Sequence, residues 1–308
     1  MKRRDGMLKI IQETLTDNAR ARLIPVQRLA DLKADIDSFR NSEELNGFQT
    51  WIASELYRFD VPDADFSVKS VILIAIPHPA YARVDFDFHG RTHHCISLVQ
   101  SDFTGTDHRL AGIVNAHGYH IVAADNIPLK RLAVRCGLAL YGRNNITYIG
   151  GLGSYYSFVA YFSDIPPDED VWVDVNTSAL CGSCGACVSA CPTGAIRSNR
   201  FLIDNERCLS YLNERADDFP QWLSPSVHHC AYDCLQCQLS CPMNLEFAEN
   251  IAGPFRFNES ETAQILSGNP VESFEPDLAS RVKALGLHEW PGVPRNLKML
   301  FETDEAAV

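Results

Sequence analysis

Apolar residues recur every three or four positions through the opening of the chain. Leu23, Val26, Leu29, Leu32, Ile36 and Phe39 form one series, and Leu45, Phe48, Ile52 and Leu56 another. That spacing puts each set on one face of a helix and predicts a helical segment over residues 1–60. The pattern then changes to an apolar run from Ser70 to Ile76, closed by Pro77 and Pro79, which predicts a buried strand. Helical spacing returns from Asp107 to Asn115 and stops at Gly118. His120 to Ala124 predicts a strand ending at Asp125, and Pro128 opens a helix running to about Leu140. After the glycine-rich stretch Gly150 to Gly153, Ser157 to Phe162 predicts a further strand. Strands and helices thus alternate over 70–165, as in a mixed α/β domain, here placed at 61–170. From Glu272 a helical stripe of Phe274, Leu278, Val282 and Leu285 predicts a helical tail over 251–308.

Composition narrows the class. A chain of 308 residues with 46% hydrophobic content can bury a core without covalent staples. Its longest apolar run, Val71 to Ile76, falls far short of the roughly 20 residues that span a bilayer. Met1-Lys-Arg-Arg4 imitates the start of a signal peptide, but Lys9 and Glu13 interrupt the stretch behind it. The expectation is a cytoplasmic protein with no membrane partner. A formal net charge of −12 disfavours long-range attraction of nucleic acid. Eleven cysteines change the picture most, since a chain kept in a reducing compartment does not spend that many on disulfides.

Their spacing points to metal. Beyond a break at Pro166-Pro-Asp-Glu-Asp170, the segment 171–250 carries Cys181-x-x-Cys184-x-x-Cys187-x-x-x-Cys191-Pro192. This is the bacterial ferredoxin run, whose fourth cysteine ligates the other of two [4Fe–4S] clusters. Cys234-x-x-Cys237-x-x-x-Cys241-Pro242 repeats the latter part of it, with Cys208 between the groups. The crossing rule assigns Cys181, Cys184, Cys187 and Cys241 to one cluster and Cys191, Cys208, Cys234 and Cys237 to the other. Paired zinc sites also use Cys-x-x-Cys knuckles, but the triple spacing followed by Cys-Pro favours iron. Cys95, Cys136 and Cys230 read as buried small hydrophobes, although Cys230 stands near enough to Cys234 to replace it.

Ahead of the cysteines, Asp125-Asn-Ile-Pro128, Gly137-Leu-Ala-Leu-Tyr-Gly142-Arg-Asn144, Gly153-Ser154 and Ser163-Asp164 follow one another in fixed order. With Cys191-Pro-Thr-Gly-Ala-Ile196 and Arg207-Cys-Leu-Ser-Tyr-Leu212 they resemble the epoxyqueuosine reductases, cobalamin-dependent iron–sulfur enzymes related to reductive dehalogenases. The resemblance covers residues 70–245. It implies a mixed α/β (α+β), corrinoid-binding, nitroreductase-like domain followed by a bacterial-ferredoxin-like double-cluster module. It also implies two [4Fe–4S] clusters and cobalamin as cofactors, with electrons passing from a ferredoxin- or flavodoxin-type donor through the clusters to cobalt. Asp125 becomes the implied proton donor, in keeping with the rule that a carboxyl group facing an apolar cofactor keeps its proton nearer neutral pH. Its plainer role is to cap the helix opened by Pro128. Gly142, Arg143, Asn144, Gly153 and Ser154 become implied cofactor contacts, and Arg135 an additional one. His93-His94 and His228-His229 read as exposed loop histidines.

The chain also departs from the family. Tyr141 stands where the family has tryptophan, and Phe158-Val-Ala-Tyr-Phe162 lacks its Gly-Glu pair. The region after Pro242 is shorter than the family's helical-repeat domain. With the acidity, this argues against tRNA and leaves a small-molecule or modified-nucleoside substrate. Three hypotheses follow: a corrinoid-dependent reductase; a cobalamin-independent ferredoxin-like protein that reduces a partner such as a corrinoid protein; and a zinc-binding interaction protein. The α/β domain ahead of the clusters exceeds what electron carriage needs, which favours the reductase.

Overall fold

The computed structural model describes residues 6–15, 18–42 and 45–306; the basic start at Met1 to Arg4 lies outside them. The chain divides into two compact units, Met1–Pro77 with Ser101–Cys184 and His78–Gln100 with Gly185–Val308. Among the described residues the strands are β1 (Arg20–Pro25), β2 (Ser70–Pro77), β3 (Tyr81–Phe88), β4 (Arg91–Ser97), β5 (Ile121–Ala123), β6 (Leu140–Tyr141), β7 (Thr147–Tyr148), β8 (Tyr156–Ser163) and β9 (Ile251–Phe257). The helices are α1 (Met7–Thr14), α2 (Arg28–Ser42), α3 (Gly47–Trp51), α4 (Phe103–Ala116), α5 (Leu129–Arg135), α6 (Ala186–Ala190), α7 (Leu209–Glu214), α8 (Gln236–Leu239), α9 (Glu259–Leu266), α10 (Pro276–Ala284) and α11 (Val293–Ala306).

The first unit is built on an antiparallel sheet of order β1-β2-β8-β5. The apolar run lies at its centre as β2, buried from Ser70 to Ile76. Ile72, Ile74 and Ile76 pack with Ile11 of α1, Leu110 and Val114 of α4, and Tyr161 of β8. Each such aliphatic side chain contributes about 1.5–3 kcal/mol on burial, so this layer is the unit's main source of stability. The helical reading of residues 1–60 is corrected here: Arg20–Pro25 is a strand paired with β2, from Arg20↔Ala75 to Pro25↔Ser70. The series Leu23, Val26, Leu29 spans a strand, a turn and the start of α2, and pairing with a buried neighbour overrides its helical spacing. Helix α5 is shorter than expected. Gly137, at φ +69, ends it, with the Leu138 N–H donating to the Ala133 carbonyl.

The second unit holds a sheet of order β4-β3-β9, with β3 antiparallel to β4 and parallel to β9. Alternate β3 residues Ala82, Val84 and Phe86 point into a core with Phe257, Leu278, Val282, Leu297 and Phe301. The helical reading of 251–308 is therefore corrected at its start, where Ile251–Phe257 is a strand. Only Phe257 of that strand is fully buried, so no apolar alternation marks it, and the partner β3 decides its conformation.

Asn296 of α11 is wholly buried and donates to the carbonyls of Asn213 at 2.7 Å and Ala231 at 3.0 Å. It ties α11 to α7 and to the chain just ahead of Cys234. Asn296→Ala orphans both carbonyls and is expected to cost about 1–3 kcal/mol in urea unfolding; an unchanged midpoint would show that water satisfies them.

Candidate functional site

The division between the units falls between Cys184 and Gly185, so each side of the cysteine array is described separately. In the second unit, Cys187 lies on α6 and Cys237 on α8, two short helices that pack together. Cys191 ends α6, with its Sγ 3.7 Å from the Thr193 hydroxyl. Cys208 precedes the first turn of α7, and backbone N–H groups of Tyr211 and Ser210 are directed at its sulfur. The N–H of Gln236 serves Cys234 in the same way.

Cys191, Cys208 and Cys234 interact electrostatically, each raising the cost of ionising its neighbours. Burial pushes the Cys208 thiol up and the Cys234 thiol up to about 12, against the backbone N–H groups that favour the thiolate. Buried sulfurs supplied with N–H donors but no counter-charge fit ligation by a cationic iron–sulfur core, which replaces the protons and leaves the N–H···S bonds in place. Asp233 and Leu235 flank Cys234 in left-handed conformations, at φ 60 and 61. Neither is a glycine, and such backbone cost is characteristic of functional loops. Nε2 of His229 bonds the Cys234 carbonyl at 2.6 Å.

In the first unit, β6 and β7 form a hairpin whose turn contains Gly142, Arg143 and Asn144. A side chain at Gly142 would lie 2.6 Å from the Tyr148 ring, so the tight turn requires glycine. Asn144 is buried and donates to the Tyr148 hydroxyl at 2.9 Å. The chain leading to the cysteines is fastened alongside: Thr177 bridges to Tyr141, and the Ser178 N–H donates to the Tyr141 carbonyl. Arg143 completes this arrangement. Its backbone N–H reaches Cys181 Sγ at 3.4 Å, and its guanidinium donates to the carbonyls of Cys181 at 2.5 Å and Gly182 at 3.4 Å.

The implied cofactor contacts thus take more specific places. Arg143 grips the Cys181 loop, a role whose only sequence signal is a cation in the Gly-x-Asn turn. Arg135 is occupied by Asp35 at 2.7 Å and the Val173 carbonyl at 2.9 Å. Gly153, at φ +62, exchanges backbone hydrogen bonds with Ile149, and Ser154 beside it is buried. Beside the hairpin lies a recess of about 460 Å³, walled by Val134, Leu138, Ala139, Leu140, Tyr148 and Val173.

Asp125 lies exposed in the turn after β5. The N-cap of α5 is Pro128, so the capping role read for Asp125 is corrected: it stands three residues too early. Burial pushes the Asp164 carboxyl up, but hydrogen bonds from the His120 ring and backbone prevail and hold it below the usual carboxylate range. Two histidines expected in exposed loops are buried. His93 faces inward from β4 and stacks on Phe301, and His228 lies against Phe219. Burial lowers His228 to about 4, keeping it neutral. Cys95, Cys136 and Cys230 are buried, and the Cys230 thiol donates to the Cys234 carbonyl at 3.4 Å.

Residues 180–244 match the profile of the 4Fe-4S double cluster binding domain. With the mixed α/β fold around it, the chain is a double-cluster iron–sulfur protein that carries two [4Fe–4S] clusters. It is epoxyqueuosine reductase-like in sequence and in fold. It is 31% identical to the epoxyqueuosine reductase of Burkholderia pseudomallei over 205 residues, covering 61% of this chain and 47% of that protein. Identity to the Escherichia coli enzyme is 35% over 173 residues, covering 54% of this chain and 44% of that protein. The chain thus spans about half the length of these curated relatives. Among solved structures, the Bacillus subtilis epoxyqueuosine reductase aligns over 96% of this chain and 80% of its own, with TM-score 0.60 and 17% identity. An epoxyqueuosine reductase solved with a tRNA-Tyr epoxyqueuosine-modified stem loop aligns over the same shares of both chains, with the same TM-score and identity. No helix among the described residues is long and apolar enough to cross a membrane.

Removing the Arg143 guanidinium takes away a positive charge beside Cys181 while leaving the backbone N–H. Arg143→Ala is expected to lower the midpoint potential of one cluster by on the order of tens of mV, read by EPR-monitored redox titration. Two unshifted potentials would place Arg143 outside the electrostatics of the clusters.

Proposed function

We propose that the protein is a corrinoid-dependent iron–sulfur reductase that acts on epoxyqueuosine or a similar modified nucleoside, in the cytoplasm. The observation that carries this is the conjunction of a double-cluster domain with an α/β unit bearing the family's segments in order, from Asp125 to Asp164. A simple electron carrier has no use for that unit. The first cluster is assigned Cys181, Cys184, Cys187 and Cys241, and the second Cys191, Cys208, Cys234 and Cys237, by the crossing rule. The α/β unit is taken as the corrinoid-binding, nitroreductase-like part, and a ferredoxin- or flavodoxin-type protein as the electron donor. Cobalamin, when bound, supplies a low-potential cobalt centre for substrate reduction.

The chain's own contribution is positional and protic. Gly142, Asn144 and Tyr148 fix the hairpin, and through Arg143 they fix the Cys181 loop. The His120–Asp164 contact holds the end of β8 against the start of the β5 segment, which leads directly to the Asp125 turn. From that turn the Asp125 carboxyl delivers a proton to the substrate. Acidity alone is set aside as an argument against tRNA, because a relative of the same fold is solved with a modified tRNA stem loop.

The test is anaerobic. The cluster-loaded protein is mixed with cobalamin while the visible spectrum is followed, then given an epoxyqueuosine-containing tRNA stem loop and a chemical reductant. A shifted cobalamin spectrum with turnover supports the reductase; an unchanged spectrum and no turnover favour the electron-transfer protein. Asp125→Asn is expected to keep both cluster spectra and the thermal midpoint, and to slow turnover by about 10²-fold or more. Full activity in that variant would remove Asp125 from the chemistry.

A further inference from the structure

In the second unit two carboxylates, Glu214 at the end of α7 and Asp233, share a single hydroxyl. Ser210 Oγ lies 2.6 Å from Asp233 Oδ1 and 3.3 Å from Glu214 Oε1. A hydroxyl carries one hydrogen, and the shorter contact, to Asp233, takes it. The contact to Glu214 is therefore a hydrogen bond only when Glu214 itself holds a proton and donates it to Ser210 Oγ. Both acidic side chains are partly buried. Among the described residues no cation pairs with either of them. The cations on and around α7 are directed elsewhere. Arg215 pairs with Asp217 and meets the Tyr211 hydroxyl, and Arg207 donates to the Thr193 carbonyl and lies over Trp222. Arg295, on the α11 face that packs on α7, donates to the carbonyls of Leu212 and Asp217. The remaining acid on the turn ahead of α7, Glu206, is exposed.

Ser210 also links this pair to the cysteine array. Its backbone N–H is directed at the Cys208 sulfur while its hydroxyl serves the two carboxylates. Burial, and then the charge of Asp233, push the Glu214 carboxyl up to about 7 against the Ser210 hydrogen bond. A cluster ligated by Cys208 gains one negative charge on reduction, and a negative charge placed near a carboxylate makes that carboxylate hold its proton more tightly.

We propose that Glu214 takes up a proton when the cluster held by Cys208 is reduced, so that this centre gains an electron and a proton together. A one-electron donor protein or a chemical reductant supplies the electron, which takes the cluster from the 2+ to the 1+ state. Solvent supplies the proton, which converts the Glu214 carboxylate to the acid and leaves the local charge unchanged. The Glu214 acid then donates to Ser210 Oγ, and the Ser210 hydroxyl donates to Asp233. The inference rests on Cys208 ligating a cluster; it needs neither cobalamin nor a substrate.

The test is an EPR-monitored redox titration of the cluster-loaded full chain at several pH values on either side of about 7. Below that pH Glu214 is protonated in both oxidation states and the potential is level. Above it the proton is taken up only on reduction, so the midpoint of one cluster should fall as pH rises. An expected tightening of about tenfold between oxidation states corresponds to a fall of about 59 mV for one electron. Glu214→Gln, a neutral variant of the same shape, should leave both midpoints level with pH. Iron analysis of each sample separates loss of the clusters, which would sink the ligand assignment, from a level profile with clusters intact, which sinks this inference alone. A level profile in the unmodified protein, or a slope that persists in Glu214→Gln, overturns it. If Glu214→Gln does not assemble its clusters, the reduced-minus-oxidised infrared difference spectrum of the unmodified protein above pH 7 decides: a gained carbonyl band of a protonated carboxyl supports the proposal, and its absence overturns it.

Discussion

The bond between cysteine sulfur and iron is the interaction on which the cysteine-rich segment depends. Around Cys208 and Cys234 the apolar cluster is small, with Leu209 and Leu223 buried and Leu212, Phe219 and Val227 partly so. That is too little burial to order the short helices and turns of this segment, and metal ligation supplies the remainder. The backbone is already arranged for it. N–H groups of Ser210, Tyr211 and Gln236 are directed at sulfur, and left-handed Asp233 and Leu235 hold Cys234 between them. Such donors also stabilise the more reduced, more negative core, so the same contacts that order the loops help set the potential.

The first unit is stabilised differently. Its sheet places a fully buried strand, β2, between β1 and β8, and its stability comes from aliphatic packing that needs no cofactor. Two polar devices link that core to chemistry. His120 and Asp164 join the β5 segment to the end of β8 ahead of the Asp125 turn, and Arg143 fastens the Cys181 loop to the β6–β7 hairpin. A rigid sheet carrying function on its turns is the usual division of labour, since loops tolerate unusual geometry only when a scaffold over-determines them.

The cysteine array was legible from spacing alone, because cluster ligands must recur at short fixed intervals whatever surrounds them. Strands β2 and β8 were legible because each is a compact run of apolar residues. Strand β1 was not, since Leu23 and Leu29 fall at helical spacing across a strand–turn–helix junction. Strand β9 was hidden for another reason: its conformation comes from pairing with β3, far away in sequence. The roles of Arg135 and Arg143 were equally hidden. Each depends on which acceptors the fold brings near, and Arg143 differs from an exposed cation only through its contacts with Cys181 and Gly182.

The central claim is that eight cysteines hold two iron–sulfur cubes, and elemental analysis addresses it most directly. Iron, acid-labile sulfide and zinc should be measured together on protein purified without oxygen, with EPR spectra before and after reduction. The account predicts about eight irons and about eight sulfides per chain, with reduced-cluster signals from two interacting centres. About two zinc ions per chain, with no sulfide and no EPR signal, would contradict it and make the array a pair of structural zinc sites.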